Sequence, residues 1–563
     1  GNSEEAEQSL RKAIELNPNL FNSHFLLGSI LIGQNKLVEA EQSLRKTIEL
    51  KPDFSEAHLN LGAVLKDKGN SEEAEQSLRK AIELNPNLVN SHFLLSSILI
   101  GQNKLLEAEK SLRKTVEIKP NFFEAHLNLG AVLKDLEKKD EAELSTRKAI
   151  QLNPNNEQAH MNLGVILKDL GDLKEAELSA RKAIQLNPNY AEGHSNLGGI
   201  LKDLGDLQEA ELLTRKAIHL NPDYAQSHSN LGGILKDQGK LEEAELSARK
   251  AIQLNPNYAE AHSNLGGILR EIGDLKDAEL SARKAIELNP GLAEAHSTLG
   301  HIFIDTGNIK EAYFSYQTSI KIKPNLEYSH RGLSIYFYLT GDLDLALNSI
   351  SRAYALAPEN LTNKLLVEIF KKEKNDKDND AINIKEKNIE NDLKLFKRPV
   401  EKELIQTLYE IKTQDQSKHQ GPTYGNAIGS NYTLFDRDES IIQTVKEDLT
   451  TIAMEAFSAE IFIVASFFTI FRSGGGLVRH THLNKLDEIN GLNIGSKKYS
   501  LVYYLSIGDQ NCNEPGILKL EDPNEDFLPT DGSIIIFPAG RRHAVFYEGK
   551  KDRIIIGVNF YII

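Results

Sequence analysis

Eleven prolines, from Pro18 through Pro52 and Pro86 to Pro358, stand 34 residues apart without a slip. A fixed period of that size marks a stacked two-helix repeat, because proline cannot continue a helix and so ends each copy at the same place. In a specimen unit, residues 55–88, the pattern predicts one helix over about 56–68 and a second over about 72–84, with Gly69-Asn70-Ser71 turning between them. His58, Leu61, Gly62 and Leu65 recur three or four residues apart on the first, and Ala74, Leu78 and Ala81 on the second, so each helix has one apolar stripe to bury. Gly62 and Ala74 are small where the two helices must cross closely.

The small, large apolar and proline positions carried by His58-Leu59-Asn60-Leu61-Gly62, Leu65, Ala74, Leu78, Ala81 and Pro86 resemble the tetratricopeptide repeat (TPR). The resemblance covers 1–360, as a second-helix remnant followed by ten full repeats over 21–360. It implies an all-α superhelical TPR solenoid whose groove takes a protein or peptide. Histidine stands where the family commonly carries tryptophan, as in the repeats found ahead of glycosyltransferase domains, although no such domain follows. Asn60, Asn128, Asn162, Asn196, Asn230 and Asn264 share one place in the unit, and each offers a donor and an acceptor. They are the expected peptide-groove residues, able to hold an extended backbone; the alternative is a solvated surface copied from repeat to repeat. His24, His58, His92, His126, His160, His194, His228, His262, His296 and His330 keep the same period. They are expected to be structural, since consecutive members lie a whole repeat apart with no second ligand at metal spacing.

Composition narrows the function. With 66 basic against 81 acidic residues the net charge is −15, and no long basic run is present, so neither nucleic acid nor an anionic membrane is an expected partner. The longest apolar stretch, Ile461–Phe471, is about half the roughly 20 residues that a membrane helix requires. One cysteine, Cys512, excludes an internal disulfide or a multi-thiolate zinc site and makes the cytoplasm the expected compartment. A homo-oligomer stays open. The chain starts without methionine inside a helical pattern, which leaves an upstream segment open. Residues 361–420, including the Lys-, Asn- and Asp-rich 371–392, read as a linker and transition, with a short strand and helix expected within 393–408.

From 421 to 563 the period becomes that of strands, expected at 461–471, 499–507, 517–520, 533–537, 543–547 and 553–561, after a helix at about 440–456. Gly474-Gly475-Gly476, Gly508-Asp509, Asn513-Glu514-Pro515-Gly516, Pro529 to Gly532 and Glu548-Gly549 read as turns. The triple-glycine run lacks the Gly-Lys-Ser of a phosphate loop, so nucleotide binding is not expected. The reading is a small sandwich or barrel.

His480 and His482 are one residue apart, which on a strand turns both rings to one face, and His543 would have to join them from a distant strand. On their own these three are as well read as buried or solvated histidines as metal ligands. The surrounding residues, Ser473 to His482, Gly532 to Pro538, His543 and, ten residues on, Arg553, resemble the Fe(II)- and 2-oxoglutarate-dependent oxygenases of the prolyl-hydroxylase-like class. That resemblance implies a double-stranded β-helix, or jelly-roll, with His480 and His543 as iron ligands and Arg553 clamping the far carboxylate of the cosubstrate. His482 stands where that class carries an acidic ligand, and Asp487 is the alternative, either as the carboxylate ligand or as a partner supporting one. Three imidazoles would also suit zinc or nickel. Arg553 as a surface charge paired with Asp552 is the competing reading. Tyr424, Tyr432, Tyr499 and Tyr503 take no assigned role. The expected function is therefore a dioxygenase, an oxidoreductase hydroxylating a protein or peptide held by the repeats; the alternative is a non-catalytic protein-binding scaffold with a degenerate oxygenase-like or cupin-like domain.

Overall fold

The computed structural model describes residues 2–378, 393–411, 413–415, 423–424, 426–489 and 491–563. The chain divides into two compact units, 1–230 and 231–563, so the division falls inside the repeat region. Twenty-two helices run from Asn2 to Asp378 among the described residues. In the specimen unit they are Ser55–Asp67 and Ser71–Leu84, within a residue of the expected bounds. Gly69 turns between them at φ +82, a left-handed conformation that costs glycine little. Asn85, forced extended by the proline after it, ends the second helix at φ −142 and ψ 94.

The close crossing is real. A Cβ on Gly62 would sit 2.6 Å from Leu78 Cγ and 3.3 Å from the Ala74 carbonyl. Leu61, Leu65, Ala74, Leu78 and Ala81 are buried. The periodic histidines, for their part, tie one repeat to the next. In all ten, Nε2 lies 2.8–3.0 Å from the carbonyl oxygen of the proline six residues earlier, His58 on Pro52 being one case. That carbonyl sits in the turn, outside the ladder of either helix, and the imidazole N–H satisfies it. The linker reading for 371–392 meets a helix, Leu361–Asp378; the rest of that stretch lies outside the described residues.

Within the second unit the β-rich part begins before 421. Its strands are β1 (Lys394–Lys397), β2 (Gln414–Asp415), β3 (Thr423–Tyr424), β4 (Ala427–Gly429), β5 (Ile461–Phe471), β6 (Gly475–His480), β7 (Lys498–Ser506), β8 (Pro515–Leu520), β9 (Glu525–Phe527), β10 (Ser533–Pro538), β11 (His543–Tyr547) and β12 (Arg553–Ile562). They form two antiparallel sheets, one ordered β1-β10-β7-β12-β5-β4-β2 and the other β3-β6-β11-β8-β9. The turn expected at Gly474-Gly475-Gly476 is found at Gly474, with φ +83, but Gly475 and Gly476 instead open β6, and a Cβ on Gly475 would lie 2.7 Å from the Asn426 carbonyl.

Side-chain alternation divides the large sheet into two working faces. Phe468, Ile470, Tyr503, Ile554 and Ile556 pack under the helices Lys402–Glu410 and Ser440–Phe457, through Leu404, Leu408, Ile442, Val445 and Leu449. Phe471, Tyr504 and Ile555 face Leu518, Val545 and Tyr547 of the small sheet. Because both faces are covered, β12 reads as an almost unbroken apolar run.

Candidate functional site

The site lies in the layer between the sheets. Arg553 begins β12 and shares with Ile555 and Gly557 the face turned to the small sheet. His480 ends β6 directly opposite His543, the first residue of β11. His482 lies just past the strand, its N–H donating to the Ala539 carbonyl at 2.9 Å. One ring nitrogen from each of the three imidazoles falls within 4.8 Å of the others, and the ring centroids are 4.1–4.9 Å apart. The expected convergence of His480, His482 and His543 is therefore the arrangement found, although His482 achieves it from a loop rather than from the strand.

Hydrogen bonds orient two of the rings. His480 Nδ1 is 2.8 Å from the Val478 carbonyl and His543 Nδ1 is 3.2 Å from that of Arg541, so each Nδ1 carries the proton and each Nε2 keeps a lone pair. Asn559 is the neighbour of His482 Nδ1, at 3.4 Å, and is itself held by Ser500. Burial pushes His480 below the usual imidazole range. Burial and the neighbouring His480 bring His543 down to about 3, and burial with His543, His480 and Lys498 holds His482 well below 6.5. All three rings are thus neutral at physiological pH, the form that binds a metal.

A cavity of about 220 Å³ contains the three histidines and Arg553. Its other walls are mostly apolar, with Phe471, Leu477, Val502, Leu518 and Val545 among them. Arg553 is 0% exposed. Nη1 donates to the Pro515 carbonyl at 3.1 Å, and the guanidinium carbon lies 5.0 Å from the centre of the Tyr504 ring. Nε and Nη2 have no hydrogen-bond partner among the described residues. Burial lowers the pKa of this group, and a cation so placed is costly unless an anion joins it. The surface reading of Arg553 is corrected accordingly: Asp552 instead accepts from the Tyr409 hydroxyl at 2.7 Å. Gly516, at φ +84, leaves the room that Arg553 fills, since a Cβ there would lie 1.9 Å from Nη1.

Asp487 as the acidic ligand is also corrected. Its side chain is fully buried, but away from the cluster: Oδ2 accepts from Lys498 Nζ and from the Asn484 N–H, each at 2.8 Å, and Oδ1 accepts from the Tyr561 hydroxyl. The candidate donor set among the described residues is three imidazoles with no carboxylate.

The asparagine row is half-buried and partly engaged. Asn60 Nδ2 donates to Ser29 Oγ at 3.3 Å and Asn230 Nδ2 to the Ser195 carbonyl at 3.1 Å. Asn162 and Asn196 accept from Gln158 and Gln226. Models described as tetratricopeptide repeat match 1–53, 55–88, 89–122, 123–156, 157–190, 191–224, 259–292 and 293–326, and one described as TPR repeat matches 232–273. These stretches together span more than half of the chain. The chain belongs to the tetratricopeptide repeat family.

No curated protein matches this TPR protein. Among solved structures, "Crystal structure of APC/C hetero-tetramer Cut9-Hcn1" is similar at TM-score 0.40 and 13% identity, over 64% of this chain and 80% of that one. A likeness that loose assigns nothing further. Tetratricopeptide repeats support a protein-binding scaffold, and no helix among the described residues is long and apolar enough to cross a membrane. Sequence reasoning missed the parts of the TPR protein that surround its charged groups: Tyr504, Gly516, Lys498, Asn559 and Tyr561. Their only local signal was Pro515-Gly516, read as a turn; the side chain of Tyr424 lies outside the described residues.

Proposed function

We propose that the β domain is an Fe(II)- and 2-oxoglutarate-dependent dioxygenase of double-stranded β-helix architecture that hydroxylates a protein or peptide captured by the repeats. The observation that carries the reading is the pairing, in one cavity, of three convergent neutral imidazoles with a fully buried arginine whose Nε and Nη2 have no hydrogen-bond partner among the described residues. The donor set fits a divalent transition metal, and the arginine fork fits a carboxylate. Two facing antiparallel sheets with the histidines between them support the jelly-roll assignment. His480, His482 and His543 would hold the metal, with His480 and His543 oriented by the Val478 and Arg541 carbonyls. When bound, ferrous iron supplies oxygen activation, coupling oxidation of 2-oxoglutarate to succinate and carbon dioxide with hydroxylation of a substrate C–H bond. Arg553 receives the far carboxylate of the cosubstrate, and the apolar walls exclude water, which strengthens that ion pair. Asn60, Asn128, Asn162, Asn196, Asn230 and Asn264 would hold the peptide backbone where their amides are not spent between repeats. The cytoplasm is the proposed compartment.

One observation favours a second reading, a non-catalytic TPR scaffold with a metal-binding β domain: among the described residues no carboxylate stands in the cluster, so the three imidazoles would add no negative charge to the metal. The two readings separate by incubating the full chain with ferrous ion, 2-oxoglutarate and oxygen. Metal-dependent formation of succinate supports the dioxygenase; metal binding with neither cosubstrate binding nor succinate leaves the scaffold.

A further inference from the structure

The loop that carries His482 is built into the end of the repeat array. Leu486, Ile489, Leu492 and Ile494 share one apolar core with Ala346 and Ile350 of the last repeat helix, Leu343–Leu356, and with Leu366 and Phe370 of the helix that follows the repeats, Leu361–Asp378. Leu492 and Ile494 are at most 1% exposed. Phe370 is itself stacked on Tyr338 with centroids 4.7 Å apart, and Lys497 reaches Glu373 at 3.3 Å. Both ends of the loop are fastened to one residue of the β domain: the His482 N–H donates to the Ala539 carbonyl and the Ala539 N–H donates to the Lys498 carbonyl, each at 2.9 Å. Inside it, Asp487 gathers Lys498, Tyr561 and the Asn484 N–H. Lys498 Nζ also lies 5.2 Å from the centre of the Tyr561 ring. The same loop therefore has a polar knot on the β-domain side, an apolar seat on the repeat side, and a candidate metal ligand at its start.

We propose that Asp487 is a positioning residue and that the last repeat helix and the helix after it complete the metal centre by holding the His482 loop in place. His480 and His543 are set by a strand pair and need no such help. His482 lies beyond the strand, so the joint between the loop and the repeats fixes its ring against the other two. This inference rests on the proposed metal-binding role of the three histidines. It goes further in making the repeats a structural part of the centre as well as a capture surface.

The test compares the full chain with Asp487→Asn, Tyr561→Phe, Phe370→Ala, His482→Ala and, as a control in the first unit, Leu78→Ala. Cobalt(II) is titrated into each and its visible spectrum recorded. Asp487→Asn and Phe370→Ala should weaken cobalt binding about 10–100-fold and reproduce the spectrum of His482→Ala. Tyr561→Phe should give a smaller shift in the same direction, and Leu78→Ala should leave both affinity and spectrum unchanged. Because Asp487→Asn strands a buried lysine, Tyr561→Phe and Phe370→Ala carry the test if that variant does not fold. Parent-like spectra and affinities within twofold in the folded variants would overturn the proposal. Hydrogen exchange in the segment 480–498, followed without metal, separates the two layers. Faster exchange in Phe370→Ala with no cobalt bound by the parent keeps the joint and removes the metal reading; unchanged exchange removes the joint.

Discussion

In the repeats, a periodic imidazole such as that of His262 gives its Nε2 proton to a proline carbonyl, and the next such ring belongs to another repeat. In the β domain, His480 gives its Nδ1 proton to a carbonyl of its own strand and His543 gives its Nδ1 proton to the Arg541 carbonyl just ahead of β11, which leaves both Nε2 atoms facing a shared space with His482. The side chain is the same in both regions; what differs is which nitrogen is consumed by the backbone. A histidine whose outer nitrogen is spent is a fastener, and one whose inner nitrogen is spent is free to act as a ligand.

The strongest way to break that contrast is to remove single rings from the β cluster. His480→Ala or His543→Ala should lower affinity for cobalt or nickel by more than about 100-fold while leaving the helical circular dichroism signal intact. A variant that keeps parental affinity would remove the cluster from metal binding. Arg553→Met sharpens the comparison from the anion side. It should weaken 2-oxoglutarate binding by about 2–5 kcal/mol, read by calorimetry on the metal-loaded chain, yet raise or preserve the melting temperature, because an unpaired buried cation is gone. A fall in melting temperature with unchanged cosubstrate affinity would mean that Arg553 serves only the fold.

His301 is a third kind of histidine, half-buried in the second unit with Nδ1 on the Ser297 carbonyl. Burial, followed by Arg270 and Arg331, holds its pKa well below 6.5. The unfolded chain therefore takes up the proton first. Its contribution to stability is complete above about pH 6.5 and is lost as pH falls toward the native pKa, at up to about 1.4 kcal/mol per pH unit. Melting curves between pH 7.5 and 5.5 should flatten in His301→Gln; parallel curves for parent and variant would rule this out. The smallest effect belongs to the fasteners. His262→Ala should cost about 1 kcal/mol in chemical denaturation and leave cobalt binding untouched. Any loss of metal affinity in that variant would erase the distinction between the two regions.

Local periodicity explains what could be read ahead of the structure. The 34-residue proline spacing carried the helices, and alternation or continuous apolarity carried β5, β7, β10, β11 and β12 to within a residue or two at each end. The short strand and helix expected within 393–408 are β1 and Lys402–Glu410, whereas the short β2, β3, β4 and β9 are set by strand pairing rather than by their own pattern, and β6 was hidden by glycines that accommodate close backbone. His480, His482, His543 and Arg553 were legible through their resemblance to a known class. Asp487 was misread because its partners, Lys498 and Tyr561, lie 11 and 74 residues further on, beyond any local rule.

The link from each imidazole to the preceding proline spans the boundary between copies, so every new copy arrives with its own fastening and leaves none half made. The array can thus lengthen by whole multiples of the period without rewriting the joint that seats the His482 loop. Array length and the histidine cluster are then separately adjustable in a single polypeptide, one by copy number and the other by a handful of side chains.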